Sequence, residues 1–180
     1  MKQKLFTEVE IPGGVEVSIE GNLVSVKGPE GENKKEFNFG KLKIEKKDSK
    51  IEIGCDRATK REKKMMNTII AHLKNMFGGV QEKYEYKLKI CFNHFPITVK
   101  AEGKKIGISN FLGEKVARES TINENAEVDI QKEIIIVTSV DKEAAGQTAA
   151  NLEIATKIRG KDRRVFQDGI FITHKPSGEI

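Results

Sequence analysis

His72, His94 and His174 are the residues to which acid–base or metal chemistry would first fall in this 180-residue chain. No two of them stand at metal-ligand spacing. The two cysteines, Cys55 and Cys91, fit no paired or metal-ligand spacing, a usage that fits a reducing compartment. No serine or cysteine sits in a nucleophile motif, and neither Gly13-Gly14 nor Gly78-Gly79 extends into a phosphate-loop or dinucleotide fingerprint. Asp162 and Asp168 could in principle hold Mg²⁺, but the cations crowded around them favour turn or salt-bridge roles. The sequence therefore yields no catalytic residue, no metal ligand, no cofactor and no small-molecule substrate.

The chemistry that remains is anion recognition. The formal net charge is +5 with a pI near 9.1, and its placement says more than its size. Residues 81–156 are net acidic, whereas Lys157, Arg159, Lys161, Arg163 and Arg164 crowd one short stretch near a Gly-containing turn. Cations held by a fold edge suit the spaced phosphates of an RNA helix, and Arg adds bidentate geometry that Lys lacks. Helix capping with solubility is the competing explanation, and spacing alone leaves both open. A second basic cluster, Arg57, Lys60, Arg61, Lys63 and Lys64, reads equally well as a solvated helix face or an RNA contact. In Asn110-Phe111-Leu112-Gly113-Glu114, Phe111 could stack on an unpaired base or plug the end of a domain, and the sequence favours the plug.

The elements that would position these residues follow from an internal repeat. Shifting the chain by 82 residues lays Val15, Val17, Gly21, Val24, Val26, Gly31 and Glu32 on Ile97, Val99, Gly103, Ile106, Ile108, Gly113 and Glu114. Alternation across residues 15–19 and 23–26 predicts a hairpin around Gly21, and residues 97–108 repeat it around Gly103. Further strands are expected at 34–39, 41–46 and 50–54, and again at 115–119, 127–131 and 133–138. A strand at 84–90 opens the second copy. Each copy closes with a helix. The first is capped by Asp56, carries Met66, Ile69, Ile70, Leu73 and Phe77 on one face, and stops at Gly78-Gly79. The second is capped by Asp141, carries Ala145, Ala149, Leu152 and Thr156, and stops at Gly160. The expected class is α+β: two tandem duplicated domains, residues 1–80 and 81–180, each a small, mostly antiparallel sheet covered on one face by one helix. With 37% hydrophobic residues, 6% aromatics and no Trp, the composition suits small layered domains more than a deep cleft. Residues 1–6 hold no signal-peptide core and no run approaches the ~20 apolar residues of a membrane helix, so a soluble cytoplasmic protein is expected.

Four stretches resemble a known family. Lys161 to Phe171, the run Asn110 to Lys115, Tyr86 to Lys89 followed by Asn93-His94-Phe95-Pro96-Ile97, and Ile11-Pro12-Gly13-Gly14-Val15 are similar to large-subunit ribosomal protein six in its archaeal and eukaryotic form. The similarity spans essentially the whole chain. It implies two tandem sheet-plus-helix domains, no catalytic residues and no cofactor. It also implies binding to 23S-type rRNA near the base of the lateral stalk and the factor-binding region, beside neighbouring ribosomal proteins. Carried over to this sequence, the implied contacts are Lys157, Arg159, Lys161, Arg163 and Arg164, with Phe111, Lys115, Lys87 and His94. Two other classes compete: a non-ribosomal RNA chaperone or adaptor, which would bind RNA promiscuously, and a nuclease, which would need Mg²⁺ and an acidic pocket.

Overall fold

A computed structural model describes residues 3–47 and 49–179. The chain divides into two units, Met1–Lys83 and Tyr84–Ile180. The first contains β1 (Gln3–Glu10), β2 (Glu16–Glu20), β3 (Leu23–Gly28), β4 (Gly31–Glu36), β5 (Lys43–Lys47), β6 (Lys50–Ala58) and α1 (Lys60–Gln81). Its strands form two antiparallel sheets, β1-β6-β5 and β2-β3-β4, and α1 packs on β3, β4 and β6. Val24, Val26, Ile51, Ile53 and Leu73 are fully buried between them.

The second unit contains β7 (Tyr84–Cys91), β8 (Thr98–Glu102), β9 (Lys105–Ser109), a 3-10 turn at Phe111–Gly113, β10 (Arg118–Thr121), β11 (Glu127–Gln131), β12 (Ile134–Ser139), α2 (Lys142–Ala155), β13 (Gly169–Lys175) and β14 (Gly178–Glu179). It too has two sheets, β10-β9-β8 and β11-β12-β7-β13-β14, with all pairs antiparallel. Leu88, Ile106, Ile108, Ile135, Val137, Ala145, Ala149, Leu152 and Ile170 form the core. α2 presents small residues to it and lies close. A Cβ on Gly146 would come within 3.0 Å of the Tyr86 hydroxyl.

The duplication is visible in register as well as in order. Val17 pairs with Val26 in the first unit, and Val99 with Ile108 in the second. Gly21 and Gly103 turn these hairpins at φ of 61° and 63°, a conformation that Gly adopts without steric cost. The pairing of Ile44 with Ile53 recurs as Val128 with Val137. The copies differ at one edge. In the first, β1 ends its sheet, whereas in the second the matching strand β7 is sealed on that side by β13.

The α+β class is as expected, with each expected sheet divided into two. Several boundaries are corrected. Asp56 lies inside β6, paired with Lys43 at 3.3 Å, and does not cap α1. The cap is Thr59: its hydroxyl accepts from the Arg61 N–H, and the Glu62 carboxylate accepts from the Thr59 N–H at 2.9 Å. This reciprocal arrangement satisfies helix-start donors that a strand residue three positions earlier cannot reach. Gly78-Gly79 does not stop α1 either. The helix runs to Gln81 because Gly79 and Val80 are buried, and the Val80 carbonyl accepts from the Glu30 N–H at 3.0 Å. Tertiary packing outweighs the roughly 1 kcal/mol helix penalty of each Gly. Asp141 does cap α2, accepting from the Glu143 N–H at 3.0 Å. That helix ends at Ala155, however, well before Gly160.

Candidate nucleic-acid interface

The basic segment begins where α2 ends. Thr156 closes the helix and is 3% exposed. Its hydroxyl donates to the Leu152 carbonyl and accepts from the Ile170 N–H at 2.9 Å. One side chain thus fixes both ends of the stretch from 157 to 169. Within it, Asp162 builds a turn: its carboxylate accepts from the Arg164 N–H at 2.9 Å, and its carbonyl accepts from the Val165 and Phe166 N–H groups. The Arg164 guanidinium returns to the same carboxylate at 3.1 Å, and these bonds hold the Asp162 carboxyl below its usual range.

Asp168 anchors the far end. It is 1% exposed, and its Oδ1 accepts from the N–H groups of Asn93 at 2.7 Å and His94 at 3.0 Å. Its Oδ2 lies 2.7 Å from His94 Nδ1. An ionised carboxylate only accepts, so Nδ1 carries the proton. Burial pushes the Asp168 carboxyl up, but these hydrogen bonds outweigh it and hold the group below the ordinary carboxylate range. The His94 ring then stacks on Phe166 at 4.7 Å between centroids, and Lys161 Nζ lies 4.5 Å from the same ring.

A third tie comes from Arg118. Its guanidinium lies 4.3 Å from the Phe111 ring centroid, pairs with Glu114 through Nε at 2.8 Å and Nη2 at 2.6 Å, and donates to the Ala155 carbonyl at 2.8 Å. A longer bond reaches the Lys157 carbonyl at 3.3 Å. Carbonyls that α2 leaves without helical partners are thereby satisfied. The hydrogen bonds from Arg118 also hold the Glu114 carboxyl below its usual range.

This frame presents Lys157, Arg159, Lys161, Arg163 and Arg164 to solvent, all exposed. Among the described residues, Lys157, Arg159 and Arg163 form no ion pair, and the same is true of Lys115 beside the Phe111 turn. Lys87 is exposed in the middle of β7, with its charge paired to Glu85 at 3.0 Å. His94 is a strut between Asp168 and Phe166 and is still partly open, its side chain 31% exposed. Phe111, at 1% exposure beneath Arg118, plugs the domain end, the role the sequence favours over stacking on a base. In the first unit, Arg57, Lys60, Arg61, Lys63 and Lys64 are exposed around the start of α1. No cluster of His, Cys, Asp or Glu suited to a metal occurs among the described residues, and no described helix is long and apolar enough to cross a membrane.

The family model described as Ribosomal protein L6 matches residues 11–83 and again 95–169, once for each repeat. The chain belongs to the ribosomal protein L6 family. Proteins named large ribosomal subunit protein uL6 are similar along nearly their whole length. That of Sulfurisphaera tokodaii is 48% identical over 172 residues, covering 95% of this chain and 92% of the relative. That of Methanothrix thermoacetophila is 44% identical over 175 residues, covering 97% and 99%. The family is a structural, non-catalytic one, so the expected family and the absence of an enzymatic role both stand.

In this member of the family, Asp162 and Asp168 take the turn and salt-bridge roles expected of them, and the support that sequence reasoning missed is Arg118. Arg118 was not singled out, because its partners Ala155 and Lys157 are 37 and 39 residues away. Its one local signal is the i, i+4 spacing from Glu114. Replacing Arg118 by Ala removes the cover of Phe111 and leaves the last carbonyls of α2 unpaired. We expect a loss of about 2 kcal/mol, on the scale of hydrogen bonds to charged groups. Faster amide exchange confined to the end of α2 and residues 157–160 would be its signature in a hydrogen-exchange experiment.

Proposed function

We propose that this chain is a structural constituent of the large ribosomal subunit that binds 23S-type rRNA and fixes its structure for translation. The observation that carries the reading is that Lys157, Arg159 and Arg163 are exposed and unpaired on one segment pinned by Thr156, Asp168 and Arg118. Cations left without partners on a rigid edge are arranged for an external anion with fixed spacing. The relatives carry the name of a large-subunit protein, which supports the same placement for this one. In this reading residues 81–180 form the rRNA-binding repeat and residues 1–80 the companion repeat. Lys115, Lys87 and the open edge of His94 extend the contact. In this reading, which the family resemblance supports, the site lies near the base of the lateral stalk and the factor-binding region, beside neighbouring ribosomal proteins in the cytoplasmic ribosome.

The test is binding of the full chain to large-subunit rRNA fragments at several salt concentrations. Saturable binding to one fragment, one protein per site, supports the reading. Equal weak binding to every fragment would favour a promiscuous RNA chaperone or adaptor instead.

A further inference from the structure

Between the end of α2 and the start of β13 lies a cavity of about 810 Å³. It falls within the roughly 300–1,000 Å³ of ordinary small-ligand sites. Its apolar lining includes Ile154, Phe166 and Phe171, and Ile154 and Phe171 are 59% and 41% exposed. Lys157 and Arg163 supply positive charge, while Glu153 and Gln167 supply polar groups. Gly169 permits this shape: a Cβ there would come within 3.1 Å of the Phe171 ring.

We propose that this groove receives an unpaired nucleobase of the bound RNA, with the flanking phosphates on Lys157 and Arg163. The proposal rests on the RNA-binding reading above and names which part of the RNA the segment takes. A nucleobase has apolar faces, a polar edge and an anionic backbone attached, and the groove offers a partner for each. A base inside a duplex has both faces stacked and cannot enter; an unpaired one can be splayed out and stacked on an aromatic ring. An apolar protein segment would fill the groove but leave Lys157 and Arg163 without an anion. The carboxylate of Glu153 has no hydrogen-bond or ion-pair partner among the described residues, and as an acceptor it favours a base bearing an exocyclic amino group.

Cys91 lines the groove and is partly exposed, whereas Cys55 is buried in the first unit, so alkylation reads the site with an internal control. The full-length protein is treated with N-ethylmaleimide alone, with tetra-adenylate, with tetra-uridylate, and with a short self-complementary RNA duplex. Modification at each cysteine is followed by mass spectrometry. Tetra-adenylate is expected to slow Cys91 alkylation at least about fivefold, tetra-uridylate less, and the duplex not at all, with Cys55 unchanged. Phe171→Ala and Ile154→Ala, both at exposed positions, should weaken tetra-adenylate binding, about tenfold for Phe171, without altering its salt slope. Unchanged Cys91 reactivity at saturating tetra-adenylate overturns the proposal, and so does equal protection by the duplex. Saturable rRNA binding that leaves Cys91 open overturns the groove but leaves the ribosomal reading standing. Protection by tetra-adenylate without specific rRNA binding supports the groove and removes the ribosomal reading. Protection that appears only when a neighbouring ribosomal protein is added overturns the nucleobase in favour of a protein occupant.

Discussion

The full chain carrying Arg163→Ala and Arg164→Ala together is expected to bind large-subunit rRNA about tenfold more weakly at moderate salt, with a flatter dependence on salt. Each phosphate neutralised releases counterions, and removing two such contacts should lower the slope of log affinity against log salt by roughly 1.5 to 2. The two arginines do not contribute equally. Arg163 has no ion-pair partner among the described residues, whereas Arg164 is committed to Asp162 at 3.1 Å and must exchange that carboxylate for a phosphate. Arg163→Ala alone should therefore account for more than half of the loss. Both side chains are exposed, so the variant should unfold at the same denaturant concentration as the parent. A filter-binding or fluorescence titration at four or five salt concentrations decides the matter. An unchanged slope would remove the pair from the contact list.

The largest effect on stability is expected at Asp168. Replacing it by Ala leaves the part-buried N–H groups of Asn93 and His94 without their acceptor and frees the His94 ring. Hydrogen bonds to a charged group contribute on the order of 1.5–3 kcal/mol, and with three lost, partly replaced by water, the second unit should lose about 3 kcal/mol. Asp168→Asn should be milder. Its carbonyl oxygen still accepts from both N–H groups, and its amide can donate to His94 Nδ1 once the imidazole carries its proton on Nε2. The pH dependence separates the two. Because the folded-state value of Asp168 is depressed, its contribution is fully present above the unfolded carboxylate value near 4. It is lost as pH falls from there through the depressed folded value. The parent should thus weaken in that acid window, and Asp168→Asn should lack this part of the dependence. Urea unfolding of the second unit from pH 7 downward measures both.

The hairpins were legible because their signal is local. Val15 to Val26 alternates over a few residues, and the shift of 82 repeats the alternation at Ile97 to Ile108. β13 was missed for the opposite reason. Ile170, Phe171 and Ile172 run together, and the period of 2 appears only once Ile170 is seen buried and Phe171 exposed. β1 was overlooked because Phe6, on its outer face, breaks an otherwise readable alternation of Leu5, Thr7 and Val9. The cap of α1 was readable in principle, since Thr59 and Glu62 stand at capping-box spacing, but the more acidic Asp56 drew the assignment upstream. At the candidate site, the cations were plain from composition and Asp162 and Asp168 were readable as turn or salt-bridge residues, whereas their distant partners were not. Asp168 meets Asn93 and His94 across 75 and 74 residues, a proximity that no window along the chain contains.

The sealing of β7 by β13 also sets an order of events during the making of the protein. The first unit has all its strands and its helix in hand by residue 83 and can close while later residues are still being added. The second cannot. Its opening strand waits for a partner, and the loop at His94 waits for a carboxylate 74 residues downstream. The basic segment therefore takes its shape only once β13 has been made, and until then a nascent polypeptide carries those cations as an unshaped string. In the proposed function, shape-dependent recognition of RNA is deferred until β13 is in place.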